Sequence, residues 1–161
     1  MKMQQATEKE FDKLYGIIAE CSEWLKSKGI DQWDPPYPSY RFRLEIEKGE
    51  VYFFSMGNYI VGTVTLLRNK PDYYPPDLWN DDNAWYVCRL AVPRRFSGKD
   101  IGTKILHAAE TEAGKNGIKY LRLEVVKANG FLADYYEKNG FERAREGKSH
   151  GTASIFMEKT V

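Results

Sequence analysis

One junction limits the architecture of this chain more than any other: LAVPRRFSGKDIGTKIL, Leu90 to Leu106. It starts as an apolar strand, crosses a basic loop that carries glycine, and continues as an amphipathic helix. The first turn of a helix leaves N–H groups unpaired and carries partial positive charge. Glycine lets successive amides face one side and lets a ligand come close. Ser97, Gly98, Lys99, Asp100, Ile101 and Gly102 supply such amides, and Arg94, Arg95, Lys99 and Lys104 supply diffuse positive charge. The usual guest at such a place is a phosphate or pyrophosphate. The loop is not a Walker A sequence, and it lacks the GxGxxG dinucleotide fingerprint. An ordinary strand–helix connection with solvated lysines fits the spacing as well.

The elements around this junction follow from periodicity and punctuation. Lys2 to Ala6 reads as a strand. Thr7 and Glu10 stand at capping-box spacing before a helix over 8–28, where Phe11, Leu14, Ile18, Cys21 and Leu25 recur until Gly29. After the proline-broken IDQWDPPYPSY, Ser39 is expected to cap a helix over 40–48. Val51 to Ser55 and Tyr59 to Leu67 form a hairpin around Gly57-Asn58. A long loop, RNKPDYYPPDLWNDDNA, precedes a strand over 85–92. Loops of that length are uncommon unless functional or disordered, and its aromatic residues argue against plain disorder. A helix over 101–115, a strand over 120–126 and a helix over 131–138 follow. FERARE and TASIFMEKT then make a second hairpin. The order predicts one α+β domain, 1–161, with a mixed sheet of seven strands and about four helices.

Totals exclude several classes of function. The formal net charge of +1 argues against nucleic-acid binding by bulk charge. Cys21 and Cys88 are far apart and lack CxxC partners, and His107 and His150 show no metal spacing, so no metal site is expected. MKMQQATEKEF lacks an apolar signal region, and no run of 18 apolar residues occurs, so a cytoplasmic protein away from membranes is expected.

Two motifs carry a resemblance. The run LAV…SGKDIGTKIL, followed by LRLEV…N…YYEKNGF, resembles the GCN5-related N-acetyltransferase (GNAT) superfamily, in a small bacterial-type form. In that family the loop before the central helix reads Gln or Arg, two residues, Gly, one residue, then Gly or Ala, and wraps the pyrophosphate of acetyl-CoA. The six positions here are Ser97 to Gly102; the final glycine matches, whereas Ser97 and Asp100 depart. A carboxylate at Asp100 repels a pyrophosphate unless it turns outward or caps the helix. In the second motif Asn129, Tyr136, Gly140 and Phe141 keep the family spacing, and Leu132 takes the place of an alanine. The resemblance implies a three-layer α/β/α fold with a mostly antiparallel sheet and a splayed central strand pair.

It also implies a mechanism. The pantetheine of acetyl-CoA lies between strands 85–92 and 120–126, with Leu90, Ala91 and Val92 offering main-chain hydrogen bonds and one N–H among them polarising the thioester carbonyl. Ser97, Gly98, Lys99, Asp100, Ile101, Gly102 and Thr103 form the pyrophosphate loop. Tyr136 is the expected general acid beside the sulfur, although a core tyrosine fits its helix face too. Asn129 hydrogen-bonds the pantetheine and is compatible with a helix N-cap. Glu124 is a candidate base, or else a solvent-facing strand residue. The acceptor is a small amine or a peptide, walled by the loops 28–40 and 69–84, where Asp72, Asp77, Asp81 and Asp82 with Tyr73, Tyr74 and Trp79 steer a cation. The alternative is a non-catalytic CoA-binding sensor, which Ser97 and Asp100 favour. Exposed hairpin edges permit a monomer or a homodimer.

Overall fold

The computed structural model describes residues 1–33 and 36–161. Asp34 and Pro35, inside the loop read as an acceptor wall, lie outside the described residues. The strands are β1 (Lys2–Gln5), β2 (Val51–Met56), β3 (Tyr59–Leu67), β4 (Ala84–Ala91), β5 (Tyr120–Val126), β6 (Glu142–Ser149) and β7 (Thr152–Thr160). The helices are α1 (Phe11–Ser27), α2 (Ser39–Glu47), α3 (Ile101–Lys115) and α4 (Gly130–Lys138). The sheet order is β1-β2-β3-β4-β5-β7-β6. The β1–β2, β2–β3, β5–β7 and β6–β7 ladders are antiparallel, and β4–β5 is parallel. This is the mixed α+β sheet that the element order predicted, mostly antiparallel as the family resemblance implied.

The central pair is parallel and is joined where its strands begin. Among the described residues β4 and β5 are joined at three positions: Ala84 with Tyr120, Trp85 with Leu121 and Tyr86 with Arg122. β4 nevertheless runs on to Ala91 and β5 to Val126.

Two helix starts differ from expectation. A 3-10 turn, Glu8–Glu10, leads into α1 rather than one continuous helix. The Glu10 carboxylate accepts the Thr7 hydroxyl at 2.7 Å and the Thr7 N–H at 2.9 Å, and these two bonds hold its pKa below the usual carboxylate range. Ser39 is the first residue of α2 and not its cap. The Pro38 carbonyl accepts the Arg41 and Phe42 N–H groups at 3.1 and 3.2 Å, so the helix is started by main chain alone.

The chain falls into two compact units. The first comprises Met1–Leu66 and Cys88–Ala108. In its core, Phe11, Leu14 and Ile18 of α1 meet Phe42 and Ile46 of α2 over Val51 and Phe53 of β2. The spacing i, i+3, i+7 puts the α1 residues on one stripe. Each such side chain stabilises the fold by roughly 1.5–3 kcal/mol when fully buried. Gly62 of β3 lies under α3: a Cβ there would be 2.4 Å from Ile105 Cδ1 and 3.3 Å from the Ala91 carbonyl. Gly62→Ala is therefore expected to cost about 1–3 kcal/mol in urea unfolding through overpacking. Wild-type stability in that variant would mean that Ile105 repacks freely.

The second unit comprises Leu67–Val87 and Ala109–Val161. Its long loop is an aromatic cover. Tyr74 and Leu78 are buried with Ala84, Tyr86 and Phe156, and the Tyr74 ring meets Phe156 edge-on at 5.0 Å. Asp77 receives two hydrogen bonds from the Arg145 guanidinium, at 3.0 and 3.1 Å, which lower its pKa. Among the described residues no helix is long and apolar enough to cross a membrane, and no three His, Cys, Asp or Glu side chains gather as a metal site.

Candidate active site

The first unit holds the strand end, the glycine loop and the start of α3. Pro93 ends β4, because it has no N–H to donate to a ladder. A 3-10 turn over Arg94–Phe96 follows, its bonds running from the Phe96 N–H to the Pro93 carbonyl at 2.8 Å and from the Ser97 N–H to the Arg94 carbonyl at 3.1 Å. Gly98 (φ +74°) and Asp100 (φ +58°) are both left-handed. A left-handed residue within a turn is one element of the arrangement that points successive amides to one side and makes an anion-binding concavity. The Lys104 N–H donates to the Asp100 carbonyl at 3.3 Å, so Asp100 sits at the cap of α3. Ser97, Gly98, Lys99 and Asp100 are exposed, and Ile101 is buried to anchor the helix.

The basic residues divide. The Arg94 guanidinium lies 3.8 Å from the Trp24 ring centroid, on α1. Arg95 lies over Phe96 and Tyr59 at 4.8 and 5.5 Å, and the Lys99 ammonium is 5.6 Å from the Phe96 ring. Lys104 is exposed. The cysteines are free thiols: the Cys21 thiol donates to the Val92 carbonyl at 3.4 Å, and burial raises its pKa.

Sequence reasoning passed over a buried cluster on β4. Arg89 is left-handed (φ +47°) in the middle of the strand and 7% exposed. Its Nη2 donates to Glu45 Oε2 at 2.5 Å, and its guanidinium lies 4.0 Å from the Tyr37 ring centroid. The Tyr37 hydroxyl donates to Glu45 Oε1 at 2.6 Å. Burial pushes the Tyr37 phenol pKa up; the Arg89 charge opposes this and Glu45 adds to it. The signal in the sequence was a single charge inside the apolar run WYVCRLAV.

The second unit holds the remaining candidates. Glu124, on β5, accepts the Ser149 hydroxyl at 2.9 Å. Burial raises its carboxyl pKa above the ordinary value; the Ser149 and Ser154 hydroxyls and the nearby His150 pull the other way. His150 is left-handed at the β6–β7 turn, and its ring lies against Tyr73 with centroids 4.0 Å apart and planes tilted by 33°. Glu124 is thus half-buried and hydrogen-bonded rather than a freely solvated strand residue.

Tyr136 is 8% exposed on α4, on the Ala133 face, and its ring meets Tyr135 and Phe141 edge-on at 5.5 and 5.6 Å. Asn129 is buried at the cap position of α4, but its side chain makes no bond to the first turn. Asn129 is thus the N-cap residue of α4, as its position suggested, and it starts the helix through its carbonyl, which accepts the Leu132 N–H at 3.0 Å.

Two of the four carboxylates expected to steer a cation, Asp77 and Asp81, have partners within the chain. Asp77 is paired with Arg145, and Asp81 accepts the Asn83 N–H at 2.8 Å and faces Lys119 at 3.6 Å. Tyr74 is buried, and Trp79 is half-buried against Phe156 and Tyr86.

Comparison with known proteins points one way. Residues 17–141 match the acetyltransferase (GNAT) family. The chain is 30% identical over 143 residues to YesJ of Bacillus subtilis (strain 168), an uncharacterised N-acetyltransferase, covering 85% of this chain and 79% of that one. A GNAT-family acetyltransferase structure from Listeria monocytogenes 4b F2365 superposes with a TM-score of 0.82 at 24% identity, covering 99% of this chain and 94% of that one. The PaiA N-acetyltransferase of Thermoplasma acidophilum, solved in complex with coenzyme A, gives a TM-score of 0.77 at 20% identity, covering 99% and 98%. At these identities the two structures speak for the fold.

Proposed function

The chain belongs to the acetyltransferase (GNAT) family, and from that premise we propose that it is an N-acetyltransferase domain using acetyl-CoA and a primary amine of a small molecule or peptide. The observation that carries this reading is backbone geometry: Gly98 and Asp100 are left-handed immediately before α3. The position that the family motif writes as glycine is Asp100 here, and it holds a conformation that glycine adopts freely. The coenzyme A bound to the Thermoplasma relative supports the choice of cosubstrate. Both cysteines are free thiols, which suits the reducing cytoplasm proposed for the protein.

When bound, acetyl-CoA supplies an acetyl group activated as a thioester. The amides from Ser97 to Thr103 would hold its diphosphate, the main chain of Leu90, Ala91 and Val92 would orient the pantetheine arm, and Asn129 would hydrogen-bond that arm. One N–H of that stretch stabilises negative charge on the carbonyl oxygen. Glu124 takes the proton from the acceptor ammonium, for which a raised carboxyl pKa is suitable. As the neutral amine nitrogen bonds to the acetyl carbon and the carbon–sulfur bond breaks, the Tyr136 hydroxyl would give its proton to the departing thiolate and recover one from solvent.

Thermal melts with acetyl-CoA and with CoA are expected to show stabilisation that rises with ligand concentration. Release of thiol across a panel of amines then identifies the acceptor class. No stabilisation by either ligand would overturn the reading. Binding without thiol release would favour the sensor role that the exposed Asp100 carboxylate suggests.

Two variants sharpen the test. Asp100→Gly removes a negative charge from the diphosphate cradle and relieves a left-handed aspartate. It is expected to tighten CoA binding by up to about tenfold through loss of the repulsive charge, while the relieved backbone raises stability in the free and bound protein alike. Calorimetry checks this, and weaker binding would mean that Asp100 orders the cradle. Tyr136→Phe is expected to lower kcat by about tenfold with cofactor affinity unchanged. The loss is modest because a thiol of pKa about 8.5 leaves readily as thiolate. Unchanged kcat removes Tyr136 from this role.

A further inference from the structure

Arg89 is the single charged residue of β4, and it combines two features that stability alone does not favour. A left-handed arginine in a strand is strained, whereas glycine would give the same kink without strain. A buried ion pair seldom stabilises more than apolar residues of similar volume would. Arg89 and Glu45 are each 7% exposed. Glu45 accepts Arg89 on one oxygen and the Tyr37 hydroxyl on the other. The Tyr37 ring supports the guanidinium from its face. The Tyr37 carbonyl in turn accepts the Tyr15 hydroxyl at 2.6 Å, which ties the network to α1.

The consequence of the kink falls on the next peptide. A left-handed residue turns the following peptide plane out of the regular alternation of a strand, and that plane carries the Leu90 N–H. We infer that the Tyr37–Glu45–Arg89 network is a positioning device: it fixes the β4 kink so that the Leu90 amide stands where negative charge develops on the thioester oxygen. This rests on the acetyl-transfer reading above. A glycine kink would swing, and an oxyanion donor works only when held within a fraction of an ångström of its target. The network supplies rigidity where the strand has given up regular geometry. None of its three side chains needs to touch a substrate.

The test uses the full chain with acetyl-CoA labelled with carbon-13 at the carbonyl, read by difference infrared spectroscopy. In the wild type the bound carbonyl band is expected at lower frequency than in free acetyl-CoA, because a donor polarises it. Arg89→Gly keeps the kink accessible but removes the tether. Its band is expected to broaden and return toward the free position, with kcat down by about 10²-fold and acetyl-CoA affinity held. Arg89→Gly/Glu45→Leu removes the unpaired carboxylate as well; its thermal stability is expected to recover while the band and kcat do not. Tyr37→Phe, which loses only the bond to Glu45, is expected to fall between.

A purely structural network predicts that kcat returns with stability in the double variant, and that result overturns the inference. A wild-type band in Arg89→Gly overturns it too. Failure of the wild type to bind acetyl-CoA is a different outcome, which removes the acetyl-transfer reading and the inference together.

Discussion

Glu124→Gln is expected to reduce turnover by about 10²–10⁴-fold while making the protein more stable at neutral pH. The two effects have one cause. Glu124 sits half-buried on β5, and its pKa is raised by burial more than the Ser149 and Ser154 hydroxyls and His150 lower it. A carboxyl with a raised folded-state pKa binds its proton more tightly in the fold than in the unfolded chain. Its stabilising effect is therefore full below the unfolded pKa and is lost as pH rises through the folded one. Above that point the fold holds an ionised carboxylate against its preference. Glutamine keeps an oxygen for the Ser149 hydroxyl and carries no charge. The Tm of Glu124→Gln should exceed that of the wild type at about pH 8, and the gap should narrow toward about pH 4, where both side chains are neutral.

Activity should move the other way. The wild-type kcat/KM is expected to rise with pH through the raised Glu124 pKa, and that limb should be absent in the variant. A stabilised variant with wild-type kcat/KM would leave the burial argument standing and remove Glu124 as base. A variant less stable than the wild type at high pH would sink the burial argument itself. Such opposition between stability and turnover is the mark of a group retained for its chemistry.

What the sequence disclosed, and what it hid, divides by the distance over which a cause acts. The α1 stripe, the Gly57-Asn58 turn and the strand–helix junction are set by neighbours within a few residues, so pattern and punctuation located them. The element order led to the mixed sheet, because each strand and helix carries its own period and stop signals. Asp77 was read as a steering charge because its partner, Arg145, is 68 residues away and invisible to local reasoning. The aromatics of the long loop were read as a binding wall, but Tyr74 is buried on Phe156, a contact that only the tertiary fold creates. Asp100 looked like a departure from a glycine position, since a letter does not report a dihedral; its φ of +58° restores the likeness in conformation. Arg89 needed Glu45, 44 residues away, to be more than an odd charge in an apolar strand.

Arg122→Ala is expected to destabilise the fold more than Gly62→Ala or any of the site variants, by about 3–5 kcal/mol. Its side chain is 2% exposed on β5. Nε donates to Glu158 Oε2 at 2.7 Å, and Nη1 donates to the Asp81 carbonyl at 2.6 Å and to the Tyr86 hydroxyl at 3.4 Å. The guanidinium lies 4.6 Å from the Trp79 ring centroid and 5.0 Å from that of Tyr120. Alanine would leave Glu158 without its partner, a carbonyl without its donor and a void beneath Trp79. Lysine would not repair this, since an ammonium cannot span a strand, a loop carbonyl and two ring faces as a planar fork does. Methionine fills the space, and because Glu158 keeps partial access to water, Arg122→Met should lose less than alanine. Adding Glu158→Leu should recover most of the remainder. Urea unfolding checks the series, with a midpoint shift at constant slope marking a true stability change. A loss below about 1 kcal/mol in Arg122→Ala would class the contact with surface ion pairs. Arg122 and Glu124 alternate onto the same face of β5, and Arg122 pins the loop segment from Trp79 to Asp81 beside that face. Arg122→Met, which still folds, should therefore let water reach Glu124 more easily and draw its raised pKa back toward the ordinary carboxylate value. The rising limb of the pH–rate profile would then move to lower pH in a protein whose proposed catalytic residues, Glu124 and Tyr136, are both intact.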